Sequence, residues 1–195
     1  MAIMLQALPT SAQYEPREVS AGNLLRPAFG GSIQPLDRKG DHWAWDVTIP
    51  AVDARACGMA LFANLVRGKR EPLVMAVPEH LPAQQYGAPV CDGVASGSIV
   101  PLRGLPPGST VPVKWMSLIL SGQRYLYLVA SPAVVDGSGR ALVPITSLLR
   151  RPTIDGAVAE LAKPMIEGFV PPNQAASMGA RLPGMGLQFT IEERD

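Results

Sequence analysis

Few side chains in this sequence combine a reactive type with a useful spacing. His42 and His80 lie far apart, and neither has Cys, Asp or Glu at the spacing of a metal-binding motif such as H-x-x-x-H. Cys91 and His80 would form a thiol–imidazole pair only if a third group oriented the base, and no local signature nominates one. "GVASGS" (93–98) has small residues without the G-x-S-x-G spacing of a nucleophile elbow, and reads as a turn whose glycine lets backbones pack closely. Neither G-x-x-x-x-G-K-[ST] nor G-x-G-x-x-G occurs, so no phosphate-binding loop is expected. Asp136 and Asp155 each precede a glycine, which is turn chemistry, and nothing local nominates a catalytic carboxylate pair. Trp43, Trp45, Trp115, Tyr125 and Tyr127 fall on predicted strands. They suit either a stacking platform for single-stranded nucleic acid or core and interface packing; without a basic groove, packing is the better reading. The expectation is a protein with no catalytic residue, no metal and no cofactor.

The elements that would position these residues are mostly strands. The chain has 195 residues, 47% of them apolar and only 17% charged, with a net charge of +1. A domain of this size buries about 70% of its extended surface and needs no disulfide. The near-neutral charge excludes a polyelectrolyte binder, and only "RGKR" (67–70) is densely basic; it reads as a solvated turn after a helix. Nineteen glycines and twenty prolines, spread between apolar runs, fit many tight turns and short strands. Two cysteines, Cys57 and Cys91, are too few for a metal framework. The start lacks a basic region followed by a long apolar core, so no signal peptide and no membrane span are expected.

"HWAWDVTI" (42–49) is the clearest strand: Trp43, Trp45, Val47 and Ile49 share one face, and Pro50 ends it. "RKGD" before it marks a hairpin tip. One helix is predicted over about 52–67, started by Pro50 and Asp53, closed by Gly68, and apolar enough to be buried on more than one side. A short buried strand follows within 71–79. Further strands are expected near 94–102, 111–120, 125–131, 141–146 and 158–162, with "SGQ" and "DGSG" as hairpin turns. "GLQFTIEE" (186–193) is the last strand, with Leu187, Phe189 and Ile191 inward. Residues 1–20 read as an N-terminal arm and 168–185 as a long extended loop. The whole is expected to be one mainly β domain.

The succession "FGGSIQPLDRKGDHWAWDVTIP", an apolar helix, "RGKREPLVMAVPE", "GVASGSIVPLRGLPPGSTV", "GQRYLYLV" and "LVPITSLLRRPTIDGAVAEL" resembles the distal tail proteins of long-tailed bacteriophages and related minor tail proteins. The shared features are a Trp-bearing strand ending in Pro, a helix closing on Gly, a glycine turn before an apolar strand, a hairpin, and a P-x-x-L-R-like segment, here "PITSLLRRP". The resemblance covers about Phe29 to Ile191. The chain departs from the family at Ala51, where a second Pro is usual, and at Pro112, Val113 and Lys114, where Gly-Asp is common. The resemblance implies a split β-barrel or β-sandwich with one packed helix. It also implies a ring of six copies joining the last tail-tube ring to the tip hub, around a channel for DNA or a tape-measure protein. Such a protein belongs to the virion tail and is assembled in the host cytoplasm. Trp43 and Trp45 would be core anchors of the assembling unit, and Arg150 is nominated by the "L-R" segment. The alternative from another class is a small β-barrel module binding oligosaccharide or single-stranded nucleic acid; a hydrolase using Cys91 or a carboxylate is a third.

Overall fold

The long strand that begins at His42 is the spine of the protein. The computed structural model describes residues 2–28, 30–53, 58–79, 85–172, 177–181 and 184–194. In chain order the first strands are β1 (Ile3–Met4), β2 (Gln13–Val19), β3 (Asn23–Leu25), β4 (Gln34–Leu36) and β5 (His42–Asp53), followed by the helix α1 (Met59–Arg67) and β6 (Leu73–Ala76). Then come β7 (Val90–Cys91), β8 (Ile99–Arg103), β9 (Thr110–Val111), β10 (Trp115–Leu120), β11 (Gln123–Leu128), β12 (Ala133–Val134), β13 (Arg140–Pro144) and β14 (Ala159–Glu160). The chain closes with β15 (Met165–Phe169), β16 (Ser177–Arg181) and β17 (Gly184–Glu193). The protein is therefore mainly β with one helix, as the sequence suggests, and among the described residues no sheet closes into a barrel.

One sheet holds both ends of the chain, in the order β1-β6-β15-β17-β5-β2, with β16 also on β17. The alternation read in two segments meets here: Ile191, Phe189 and Leu187 of β17 stand opposite Trp45, Val47 and Ile49 of β5. Their buried side chains, with Leu61 and Leu65 of α1 and Leu73 and Met75 of β6, make the first core. Side chains of one face are two residues apart on each strand, so in-register pairing stacks both apolar rows on one side.

β6 and β15 are neighbours in this sheet, Ala76 facing Met165, and the Val77 N–H donates to the Pro164 carbonyl at 2.9 Å. Everything between these two points is an excursion from one sheet. It carries β7 to β14 and builds a second core from residues between Tyr86 and Leu161, among them Leu102, Met116, Leu118, Tyr125 and Tyr127. Its central hairpin, β10–β11, turns on Ser121 and Gly122, both with positive φ, between the paired Leu120 and Gln123. That is the two-residue turn whose twist matches antiparallel strands.

Several expectations need correction. β5 does not stop at Pro50 but continues to Asp53. The register against β17 shifts by one residue around Pro50 and Ala51, and such a bulge is where a strand tolerates a residue with no N–H. The helix starts later than 52, at Met59, because Val52 and Asp53 still belong to β5; residues 54–57 lie outside the described residues. It buries one side only, leaving Met59 and Val66 exposed. Gly68 closes it in a right-handed conformation, and the need for glycine is steric: a Cβ there would stand 2.4 Å from the Leu73 side chain. The turn at Lys39 and Gly40 is not a hairpin tip, because β4 pairs with β3 while β5 pairs with β2. The region 1–20 read as an arm contains β1 and β2, both bonded into the sheet. The region 168–185 read as a loop holds the end of β15 and the strand β16 on β17. Residues 173–176 and 182–183 within it lie outside the described residues.

Gly168 sits where β15 meets the end of β17, and a Cβ there would lie 1.9 Å from the Glu192 carbonyl oxygen. Backbone cannot yield as a side-chain tip can. Gly168→Ala is expected to cost about 3–5 kcal/mol, in the upper range for single substitutions, as measured by urea unfolding. An unchanged unfolding midpoint would show that β15 and β17 can separate freely.

Candidate functional site

Among the described residues β11 hydrogen-bonds to a strand on one edge only, that of β10. Its other edge turns N–H groups toward the first sheet, and a buried N–H must find an acceptor. Side chains supply them. The Arg124 N–H donates to Glu167 Oε2 of β15 at 3.1 Å, and the Leu126 N–H donates to Glu193 Oε1 of β17 at 2.7 Å. Glu193 Oε2 accepts the Trp43 N–H of β5 at 2.8 Å, and Oε1 also accepts Arg150 Nη2 at 2.5 Å. The Glu193 side chain is wholly buried and that of Arg150 is 5% exposed. One carboxylate thus ties β5, β11, β17 and the segment after β13 together.

The rest of the seam repeats the device. Arg194 Nη2 lies 2.7 Å from Glu167 Oε1, and Gln123 Nε2 donates to the Arg194 carbonyl at 2.9 Å. Arg124 grips both oxygens of Glu160 at 3.0 and 3.1 Å, and the Ser117 hydroxyl donates to the same carboxylate at 2.6 Å. Ser117 Oγ in turn accepts the Met165 N–H at 3.0 Å. Bidentate and charge-assisted bonds of this kind fix orientation as well as contact.

Aromatic rings fill the space around the seam. Trp115 of β10 meets Trp43 edge-on at 4.7 Å between centroids and Trp45 at 5.3 Å. The Arg150 guanidinium lies over the Tyr125 ring at 4.9 Å, and the Arg150 backbone N–H donates to the Tyr127 hydroxyl at 3.2 Å. Burial acts to lower the Arg150 pKa, and the Glu193 charge with Tyr127 outweighs it, so the guanidinium stays charged. Burial is also the largest influence on Glu193 and raises its pKa, against the pull of Arg150 and of the Leu126 and Trp43 N–H groups. Trp43, Trp45 and Arg150, singled out from the sequence, are thus brought into one cluster. Arg150 acts inside the chain; it also lines a cleft of about 220 Å³ with Lys39, Gly40, Tyr125 and Arg151.

The groups with reactive potential are placed differently. Cys91 is fully buried, and burial, reinforced by Asp155 and opposed by Arg103, pushes its thiol pKa up to about 11. A nucleophilic cysteine needs the opposite shift. Cys57 and His80 lie outside the described residues. His42 is held at the Gly40 carbonyl, 2.9 Å from Nδ1, and at Glu192, 3.1 Å from Nε2. Among the described residues no three His, Cys, Asp or Glu side chains group to hold a metal, and no helix is long and apolar enough to cross a membrane. Gly93 and Gly97 have positive φ with open space where a Cβ would sit, so "GVASGS" needs glycine for its turn and not for close packing. Arg67 pairs with Glu71 at 3.0 Å and Lys69 and Arg70 are exposed, a solvated turn as expected. Lys114 is buried 3.5 Å from Glu79 and 4.6 Å above the Tyr86 ring, and burial lowers its pKa.

No protein-family model matches this chain, and no curated protein matches its sequence. Sequence reading missed Glu193 and Glu167. A signal existed for the first: the inward alternation of Leu187, Phe189 and Ile191 places residue 193 on the same face.

Removing one partner of a buried pair strands the other charge. Arg150→Met is expected to cost about 3–5 kcal/mol, and Glu193→Leu more, because it also strands two N–H groups. The double variant should cost clearly less than the two single losses added, as read by a double-mutant cycle in urea; strict additivity would mean that the pair is not coupled. In a Cys57→Ser background, Cys91 is expected to resist a thiol reagent at neutral pH in the folded protein and to react fully in denaturant. Equal rates in both states would contradict its placement.

Proposed function

We propose that this chain is a non-catalytic structural protein of a phage tail tip. Six copies would form a ring that joins the tail tube to the tip hub, with tube, hub and tape-measure proteins as neighbours and DNA only as passing cargo. The ring would be assembled in the host cytoplasm and end in the virion tail. The observation that carries this reading is the separation of the chain's polar and apolar resources. The buried carboxylates Glu167 and Glu193 are engaged in joining strands of the protein itself. Large apolar side chains, meanwhile, stand exposed on paired strands, among them Leu24, Leu25, Leu36, Val134 and Leu142. Clustered exposed apolar surface marks contact with other proteins. The ordered resemblance to distal tail proteins supplies the particular assembly.

A second reading, a module for single-stranded nucleic acid, draws on the cleft formed by Lys39, Arg150 and Arg151. Against it, Trp45, Tyr125 and Tyr127 are buried and offer no face for bases to stack on.

Mass by light scattering, with negative-stain images of the same sample, tests the choice. The expected result is six-fold rings with an open centre. A compact monomer retained on a nucleic-acid or glycan column would overturn the ring reading.

A further inference from the structure

β3 and β4 form a hairpin that no other strand supports among the described residues. Every described residue from Asn23 to Leu36 is exposed. A lone two-stranded hairpin is marginally stable in water. This one is also apolar on both faces. Leu24 and Pro35 are directly opposed on one face, while Leu25 and Leu36 lie on the other. Leu24 is 53% exposed and Leu25 49%.

The excursion carries a surface of matching character. In the sheet β13-β8-β7, alternation turns Val100, Leu102, Ala141 and Val143 inward. The opposite face carries two cross-strand apolar pairs, Ile99 with Pro144 and Pro101 with Leu142. Beside them β12 raises Val134, so that Pro101, Leu142 and Val134 line a groove of about 490 Å³. Leu142 is 68% exposed and Val134 74%. The groove's charged lining leans acidic: the carboxylates Asp92 and Asp136 stand against one guanidinium, that of Arg140. The hairpin carries one charge between residues 23 and 36, the cation Arg26.

We propose that the β3–β4 hairpin of one copy docks in this groove of the next. The hairpin's exposed leucines suit the apolar side chains of the groove, and Arg26 meets a lining that leans acidic. Hairpin and groove are different surfaces of one chain, so the contact is head-to-tail and each copy gives one hairpin and receives one. Such contacts give a ring where the rotation between copies closes, and an open filament where it does not. A specific interface needs about 800 Å² from each partner, so surface beside the hairpin must meet surface beside the groove as well. The inference rests on the reading above that copies of this chain associate, and it names the surfaces.

The test uses the full chain in three forms: unaltered, Leu24→Asp with Leu25→Asp, and Leu142→Asp. All three residues are exposed, so equal thermal unfolding is expected and checks folding. Light scattering across a concentration series should show the unaltered chain assembling and each variant weakened by about 30-fold or more, the effect of losing at least one buried leucine from a contact. An equimolar mixture of the variants keeps one intact hairpin and one intact groove, and should give dimers and nothing larger. Rings that persist in the Leu24→Asp, Leu25→Asp form would overturn the docking and leave the ring reading standing. An unaltered chain that stays monomeric up to millimolar concentration would overturn both.

Discussion

A single buried carboxylate, that of Glu193, decides how the two halves of this protein meet. The free edge of β11 needs acceptors inside the molecule, and among the described residues no further strand is there to offer carbonyls. Glu193 takes the Leu126 N–H from that edge and the Trp43 N–H from β5, and Arg150 balances its charge. An apolar residue at 193 would leave two amides and a guanidinium buried without it, which is costlier than the desolvation of a paired carboxylate. The arrangement also restricts geometry. Hydrogen bonds to both oxygens of one carboxylate hold two strands from different sheets at a fixed angle, where apolar contact alone would let them slide.

The seam matters because the chain leaves its first sheet after Ala76 and returns at Met165. A long excursion anchored only at those two neighbouring points would be free to hinge. Glu167 and Glu193 add two further attachments, and Leu126 of β11 joins the first core with Val47 and Ile191. Trp115 fits between Trp43 and Trp45 from the other side. The body that results has little reason to flex, and the hairpin β3–β4 stands apart from it.

Local features of this fold were legible in the sequence. The alternations of Trp45, Val47 and Ile49 and of Leu187, Phe189 and Ile191 identify two strands and their inner faces, and Ser121-Gly122 identifies the tightest hairpin. The helix start was misread because "IPAVD" suits an extended bulge as well as a helical entry, and only pairing with β17 decides between them. The strand β16 was hidden among small residues and turn formers, since "SMGAR" has no apolar alternation to show. The excursion could not be read at all, because the pairing of Ala76 with Met165 joins segments far apart in the chain. Of the candidate cluster, Trp43, Trp45 and Arg150 were picked out. Glu193 was not, because a glutamate at the end of a strand reads as solvated unless its buried partner is known. The exposure of Leu24 and Leu25 is likewise a property of the folded body.

Native-state amide hydrogen exchange at low and high protein concentration tests the account most directly. A locked body with a docking hairpin predicts that the Trp43 and Leu126 amides exchange among the slowest at both concentrations. It also predicts that amides of residues 23–36 exchange freely in dilute solution and become protected as copies associate. Fast exchange at Leu126 would contradict the seam, and hairpin amides that stay unprotected in the assembled protein would contradict the role given to β3 and β4.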